Sequence, residues 1–128
     1  MTCRVLSVDE VVELHDELLA RHGGQAGLRD AGLLDSAVAA AQNELAYGSD
    51  ELFAVAAAYA FNIAENQPFL DGNKRAAAAA ALTFLQLNRV TCELDADALE
   101  ALMLDIAAKR VGKSEVAMRL REGSRTRE

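Results

Sequence analysis

Asn66-Gln67-Pro68-Phe69-Leu70-Asp71-Gly72-Asn73-Lys74-Arg75 runs without a break into residues 76–87, AAAAAALTFLQL. A loop with one proline, one aromatic residue and one glycine thus opens a long helix that carries almost no charge. Pro68 cannot continue a preceding helix, and it biases residue 67 toward extended backbone. Phe69 reads as the buried anchor of the loop. A helix that is apolar all round belongs in the interior, and the run of alanines at 76–81 lets neighbours approach from every side. This stretch predicts an all-α, single-domain bundle of about six helices around the alanine-rich helix, with 76–81 almost fully buried.

The same stretch carries candidate chemistry. The first turn of its helix holds Asn73, Lys74 and Arg75. A helix N-terminus presents backbone N–H groups without intrahelical partners, at the positive end of the helix dipole. Gly72 lets the backbone come close, and two cations stand beside it, so the turn is suited to phosphate. Asp71 is placed to hold a divalent cation that bridges phosphate oxygens. Each residue alone also fits a capped helix start with solvated cations. Glycine, asparagine, lysine and arginine together, behind a Pro-Phe anchor, are more than a cap needs. A site mounted on the most rigid helix of a fold holds its geometry well.

Toward the N-terminus, residues 1–6 read as an extended lead-in or a short strand. Ser7 with Glu10 spells a capping box. It opens a helix whose Val8, Val11, Leu14 and Leu18 share one face, and Gly23-Gly24 ends it. His15 lies on that apolar stripe and reads first as a partly buried structural histidine, second as a catalytic one. His22 suits the negative end of the dipole. Residues 23–32 are glycine-rich and read as a flexible loop. Asp30 caps a second helix through Leu33, Leu34, Ala37, Val38 and Ala41. Arg29 is either a surface charge or a ligand for phosphate or a partner. Residues 43–50 read as a linker, with Ser49 or Asp50 capping a third helix over 51–65.

Beyond the alanine-rich helix, Asn88 and Arg89 turn the chain, and 90–94 is a short extended segment. Asp97 with Glu100 opens a fifth helix over 98–108, and Ser114 opens a sixth over 115–120. The domain is expected to span 1–122, with 123–128 a polar, frayed tail.

The chain has 128 residues, 52 % apolar and 26 % charged, which suits one domain with one core. A net charge of −7 disfavours direct binding to nucleic acid. Cys3 and Cys92 form no CxxC or Cys/His pattern, which argues against zinc. MTCRVLSVDE lacks the apolar stretch of a signal peptide, and the apolar run at 76–85 is too short to span a bilayer. A cytoplasmic protein without a membrane partner is expected.

Residues 67–75 resemble the signature of the Fic/Doc family, which in its Doc branch reads His-x-Phe-x-Asp-Gly/Ala-Asn-Lys-Arg. Leu14-His15-Asp16, Gly23-Gly24, Gly27-Leu28-Arg29-Asp30 and Leu33-Leu34-Asp35-Ser36-Ala37 resemble that branch too, so the likeness covers roughly residues 5–110. It implies a Fic/Doc-like helical domain, ATP and Mg2+ as cofactors, and a toxin of a toxin–antitoxin pair. By the resemblance, Gly72, Asn73 and the adjacent backbone form an anion nest. Lys74 and Arg75 hold nucleotide phosphates, and Asp71 orients the nucleophile or the metal. Lys74 stands where AMP-transferring members of the family have a second glycine, which leaves room for the outer phosphates. In the Doc branch the nucleotide lies reversed and presents its terminal phosphate. The implied activity is transfer of that phosphate to a protein hydroxyl, a threonine of elongation factor Tu, which inhibits translation. The implied partner is a Phd-like antitoxin whose C-terminal segment folds as a helix on the toxin. Its expected seat is the first two helices and the glycine-rich loop between them.

One position departs from the signature. Gln67 stands where the family has its catalytic histidine. A carboxamide cannot take up a proton near neutral pH, although it can orient a hydroxyl. Three readings stay open: a branch that works with glutamine, a replacement made to tame a toxic chain, and a chain that has lost catalysis and kept binding. The alternatives to phosphotransfer are therefore a catalytically weakened, antitoxin-binding module and an AMP transferase. A plain helical interaction domain explains the composition but not the motif.

Overall fold

The helices α1 (Val8–His22), α2 (Ala31–Asn43), α3 (Leu52–Asn66), α4 (Asn73–Leu87), α5 (Ala96–Ala107) and α6 (Lys113–Glu122) follow one another in a computed structural model that describes residues 3–45 and 51–126. Two short strands complete the described residues, β1 (Val90–Cys92) and β2 (Ser124–Thr126). The all-α class holds. Within the described residues no helix is long and apolar enough to cross a membrane. Cys3 and Cys92 are free thiols, and the described residues contain no cluster of three or more metal-ligating side chains.

Caps explain most boundaries. The Ser7 hydroxyl accepts the Glu10 N–H at 3.2 Å while the Glu10 carboxylate accepts the Ser7 N–H at 2.9 Å, closing the capping box of α1. Asp30 accepts the Leu33 N–H at 3.1 Å and starts α2. Three boundaries differ from expectation. Ser49 and Asp50 lie outside the described residues, and Glu51 caps α3 through the Phe53 N–H at 3.3 Å. Asp95, not Asp97, caps α5, accepting the Ala98 N–H at 2.8 Å. Asp97 sits inside the first turn, where its charge still favours the helix. α6 begins after Gly112 without a side-chain cap, and Ser114 lies within it. The tail is not wholly frayed either. Residues 124–126 pair antiparallel with β1, Val90 opposite Thr126 and Cys92 opposite Ser124. Gly123 turns the chain into that pairing, and a Cβ there would lie 2.5 Å from Leu94.

Two alanine-rich helices share the centre. α3 packs against α2, α4, α5 and α6, while α4 packs against α1, α3, α5 and β1. In α4, Ala76, Ala77, Ala80 and Ala81 are buried with Phe84 and Leu85, whereas Ala78 and Ala79 are only partly so. Burial of the whole run is thus not reached. At 3.6 residues per turn, 78 and 79 fall on the side away from the buried 76, 77, 80, 81 and 84. The small faces let the two helices come close, and Tyr59, Phe69 and Phe84 fill the space around them.

Tyr59 also fixes the N-terminal lead-in. Its hydroxyl accepts the Leu6 N–H at 2.8 Å and donates to the Leu6 carbonyl at 2.9 Å. Burial pushes its phenol up to about 12. An unfolded tyrosine titrates near 10, so the stability tied to the neutral phenol is whole below about pH 10 and lost as pH rises through about 12. Tyr59→Phe should cost on the order of 1–3 kcal/mol at neutral pH, because the Leu6 N–H is left buried and unpaired. It should also flatten the fall in stability between about pH 10 and 12. Denaturant melts of both proteins across that range check each effect.

Candidate functional site

The site begins where α3 stops. Gln67 takes a left-handed conformation, φ 49 and ψ 59, and its N–H reaches the Ile63 carbonyl at 3.1 Å. Extended backbone was the expectation at this position. The following proline disfavours only the right-handed helical region, and the helix end settles in the left-handed one, where a carbonyl of its last turn gains a partner.

Arg29 completes that end. Its Nε donates to the Gln67 carbonyl and its Nη2 to the Asn66 carbonyl, both at 2.7 Å. The guanidinium is therefore committed to the C-terminal carbonyls of α3, where a cation also suits the dipole.

The glycine-rich loop is ordered against the motif rather than loose. The Leu70 N–H donates to the Gly27 carbonyl at 3.0 Å, and the Arg29 and Asp30 N–H groups donate to the Pro68 carbonyl at 2.7 and 3.0 Å. Leu28 and Phe69 form an antiparallel bridge. Gly27 adopts φ +114, and a Cβ there would lie 3.3 Å from the Leu70 side chain, so a glycine is needed for the two segments to lie together.

Beneath the loop, Phe69 is 1 % exposed and stacks on His15 with ring centroids 3.7 Å apart and planes 8° apart. His15 is 2 % exposed and its Nε2 donates to the Asp71 carbonyl at 2.8 Å. The histidine of the α1 stripe is a buried support for the motif. Asn73 clamps the same loop from α4: its Oδ1 accepts the Phe69 N–H at 2.9 Å and its Nδ2 donates to the Phe69 carbonyl at 3.0 Å. The Asn73 amide is thus turned to the loop, and what the residue offers an anion is its backbone N–H.

Gly72 is left-handed, with φ 77, and the first bond of α4 runs from the Ala76 N–H to the Gly72 carbonyl at 2.9 Å. The N–H groups of Asn73, Lys74 and Arg75 precede that bond and point out of the helix end. The Asp71 carboxylate accepts the Gly72 N–H at 2.9 Å on Oδ1 and the Gln25 N–H at 3.2 Å on Oδ2. Each oxygen keeps a lone pair for a cation. A Cβ at Gly24 would lie 2.9 Å from Oδ2, so the loop approaches this carboxylate through a glycine.

A cavity of about 230 Å³ brings together Gln67, Asp71, Gly72, Asn73 and Lys74, with Ala64, Leu70 and Ala107 as its walls. Arg75 is exposed at the next position and does not line it. The volume falls below the roughly 300–1,000 Å³ of pockets that enclose a whole small molecule. It suits the phosphates of a nucleotide whose base lies outside. His15 stood on an apolar stripe that foretold its burial. Nothing local marked Arg29, whose partners lie 37 and 38 residues away.

Known proteins are similar to this chain in sequence. The model of the Fic/DOC family matches residues 5–85. The chain is 35 % identical over 119 residues to the protein kinase doc of Escherichia phage P1, covering 92 % of this chain and 94 % of that one. It is 42 % identical over 103 residues to the toxin Doc of Mycolicibacterium smegmatis (strain ATCC 700084 / mc(2)155), covering 77 % of this chain and 78 % of that one. With Gln67, Asp71, Gly72, Asn73 and Lys74 gathered around one cavity, these matches show that the chain belongs to the Fic/DOC family.

Proposed function

We propose that this chain is a Doc-like toxin of a toxin–antitoxin pair that transfers the terminal phosphate of ATP to a hydroxyl of a protein target. The observation that carries the reading is the cavity in which Gly72 and Lys74 meet at the start of α4. Lys74 occupies the place of the second glycine of AMP-transferring relatives, which favours terminal phosphate transfer over nucleotidyl transfer. The two relatives, a protein kinase and a toxin by name, point the same way. Elongation factor Tu is the proposed target, and inhibition of translation in the cytoplasm the proposed outcome.

In this reading the backbone N–H groups of residues 73–75 and the side chains of Lys74 and Arg75 bind the phosphates and offset their charge. Asp71 would hold Mg2+ together with phosphate oxygens and water, the usual way this ion is bound in such sites. Bound there, the ion supplies charge neutralisation for phosphoryl transfer. Gln67 faces the same cavity and orients the attacking hydroxyl. Having no basic nitrogen, it leaves the proton to solvent or to the phosphate.

Gln67 is also the observation that favours a second reading, a module that binds a Phd-like antitoxin and catalyses little. One assay separates them. The protein is incubated with a bacterial lysate and ATP labelled at either the γ or the α phosphate, with and without a Phd-like antitoxin. Transfer of γ label alone, suppressed by the antitoxin, is expected. Transfer of α label would replace the kinase by a nucleotidyl transferase, and no transfer at all would leave the binding module.

A further inference from the structure

We propose that His15 is a positioning residue for the phosphate-binding turn: by holding the Asp71 carbonyl, its Nε2–H sets how the Asp71 carboxylate and the N–H groups of residues 73–75 face the ligand. The inference rests on the phosphate reading of that turn.

Several observations converge on one ring nitrogen. Nε2 lies 2.8 Å from the Asp71 carbonyl oxygen. That oxygen can only accept, so Nε2 carries the proton. The ring is 2 % exposed, so water does not compete for the bond, and burial strengthens it. Stacking on Phe69 at 3.7 Å and 8° fixes the plane of the ring and hence the direction of the N–H. A Cβ placed on Gly72 would lie 3.6 Å from the same nitrogen, so the left-handed turn passes directly over it.

The position of this carbonyl in the chain gives the bond its reach. The Asp71 carbonyl and the Gly72 N–H belong to one peptide group, and that N–H is bonded to the Asp71 carboxylate at 2.9 Å. Holding one peptide plane therefore fixes the carboxylate, the glycine turn and the entry to α4 together. Asn73 fixes Phe69 from the opposite side, through both polar groups of the Phe69 backbone. Asp71 has no such clamp from α4. Its carbonyl is held from α1, a helix anchored in the core by Val11. A donor set held in advance by a rigid element binds an anion without reorganising.

Two variants separate the donor from the ring. His15→Phe keeps a ring against Phe69 and removes the N–H. His15→Gln removes the ring and restores an N–H donor at similar reach. Melting establishes that each is folded, and calorimetry gives its affinity for ATP with magnesium. His15→Phe should bind about tenfold more weakly, the scale of one lost hydrogen bond in a charged site, and His15→Gln should recover most of that loss. In the ligand-free protein, amide hydrogen exchange over residues 72–76 should be faster in His15→Phe than in the unaltered chain. Unchanged affinity and exchange in folded His15→Phe would overturn the proposal, as would equal weakness of both variants, which would assign the effect to the ring. Should His15→Phe not fold, the imidazole nitrogen spectrum of the unaltered protein decides: a protonated Nε2 in slow exchange supports the bond, and a bare Nε2 overturns it. Absence of ATP binding by the unaltered protein would instead remove the phosphate reading, and the exchange comparison alone would then judge His15.

Discussion

Gln67→His should raise phosphotransfer, and with it toxicity, by on the order of 10²–10⁴, the usual contribution of a positioned general base. Residue 67 lines the cavity that also holds Asp71, Gly72 and Lys74. Its backbone is held by the bond from its own N–H to Ile63 and by the Arg29 guanidinium on its carbonyl. A histidine placed there inherits a fixed Cα, and its pKa lies near neutral pH, where a base is useful. The carboxamide of glutamine has no such pKa. Growth of cells expressing each version reads the effect. Slower growth with the histidine version, at equal expression, is expected. Equal growth would mean that position 67 does not limit the reaction.

The second large effect is on stability. Phe69→Ala should cost about 3–5 kcal/mol, the range for truncating a buried aromatic side chain. Phe69 is 1 % exposed, stacks on His15 and bridges to Leu28 through its backbone. Its removal takes away the stacking partner of His15 and the surface on which the motif loop rests. Stability and phosphate binding should therefore fall together. Phe69→Leu, which keeps more of the apolar volume, should lose less of both. Chemical denaturation of the three proteins tests this. A loss under about 1 kcal/mol for Phe69→Ala, the scale of an ordinary surface change, would mean that the loop is held by its backbone bonds alone.

Much of this architecture is legible in the residues, for physical reasons that differ by element. Ser7 with Glu10, and Asp30, mark helix starts because the hydrogen bonds they make span only three residues. The central place of α4 follows from an uncharged stretch at 76–87, although Ala78 and Ala79 stay partly exposed. The helix start after Gly72 is readable from the glycine, and lysine and arginine beside it mark the turn as a candidate anion site. What escapes reading is non-local. Arg29 reaches Asn66 and Gln67 across more than thirty positions, and no periodicity encodes that pairing. The order of the glycine-rich loop is likewise invisible, because its hydrogen-bond partners are the Pro68 and Leu70 backbones. The strand at 124–126 is too short and polar to announce itself, and its pairing with Val90–Cys92 comes from tertiary packing. At Gln67 the helix end, not the local preference imposed by Pro68, decides the backbone.

In the proposed function, the turn from Gly72 into α4 binds the phosphates of a nucleotide. Titrating the protein with ATP and magnesium while following backbone amide resonances tests it most directly. Saturable shifts centred on Gly72, Asn73, Lys74 and Arg75 are expected, with smaller ones at Gln25, whose N–H contacts the Asp71 carboxylate. Shifts absent from these residues at saturating ATP, or confined to another face of the protein, would contradict it.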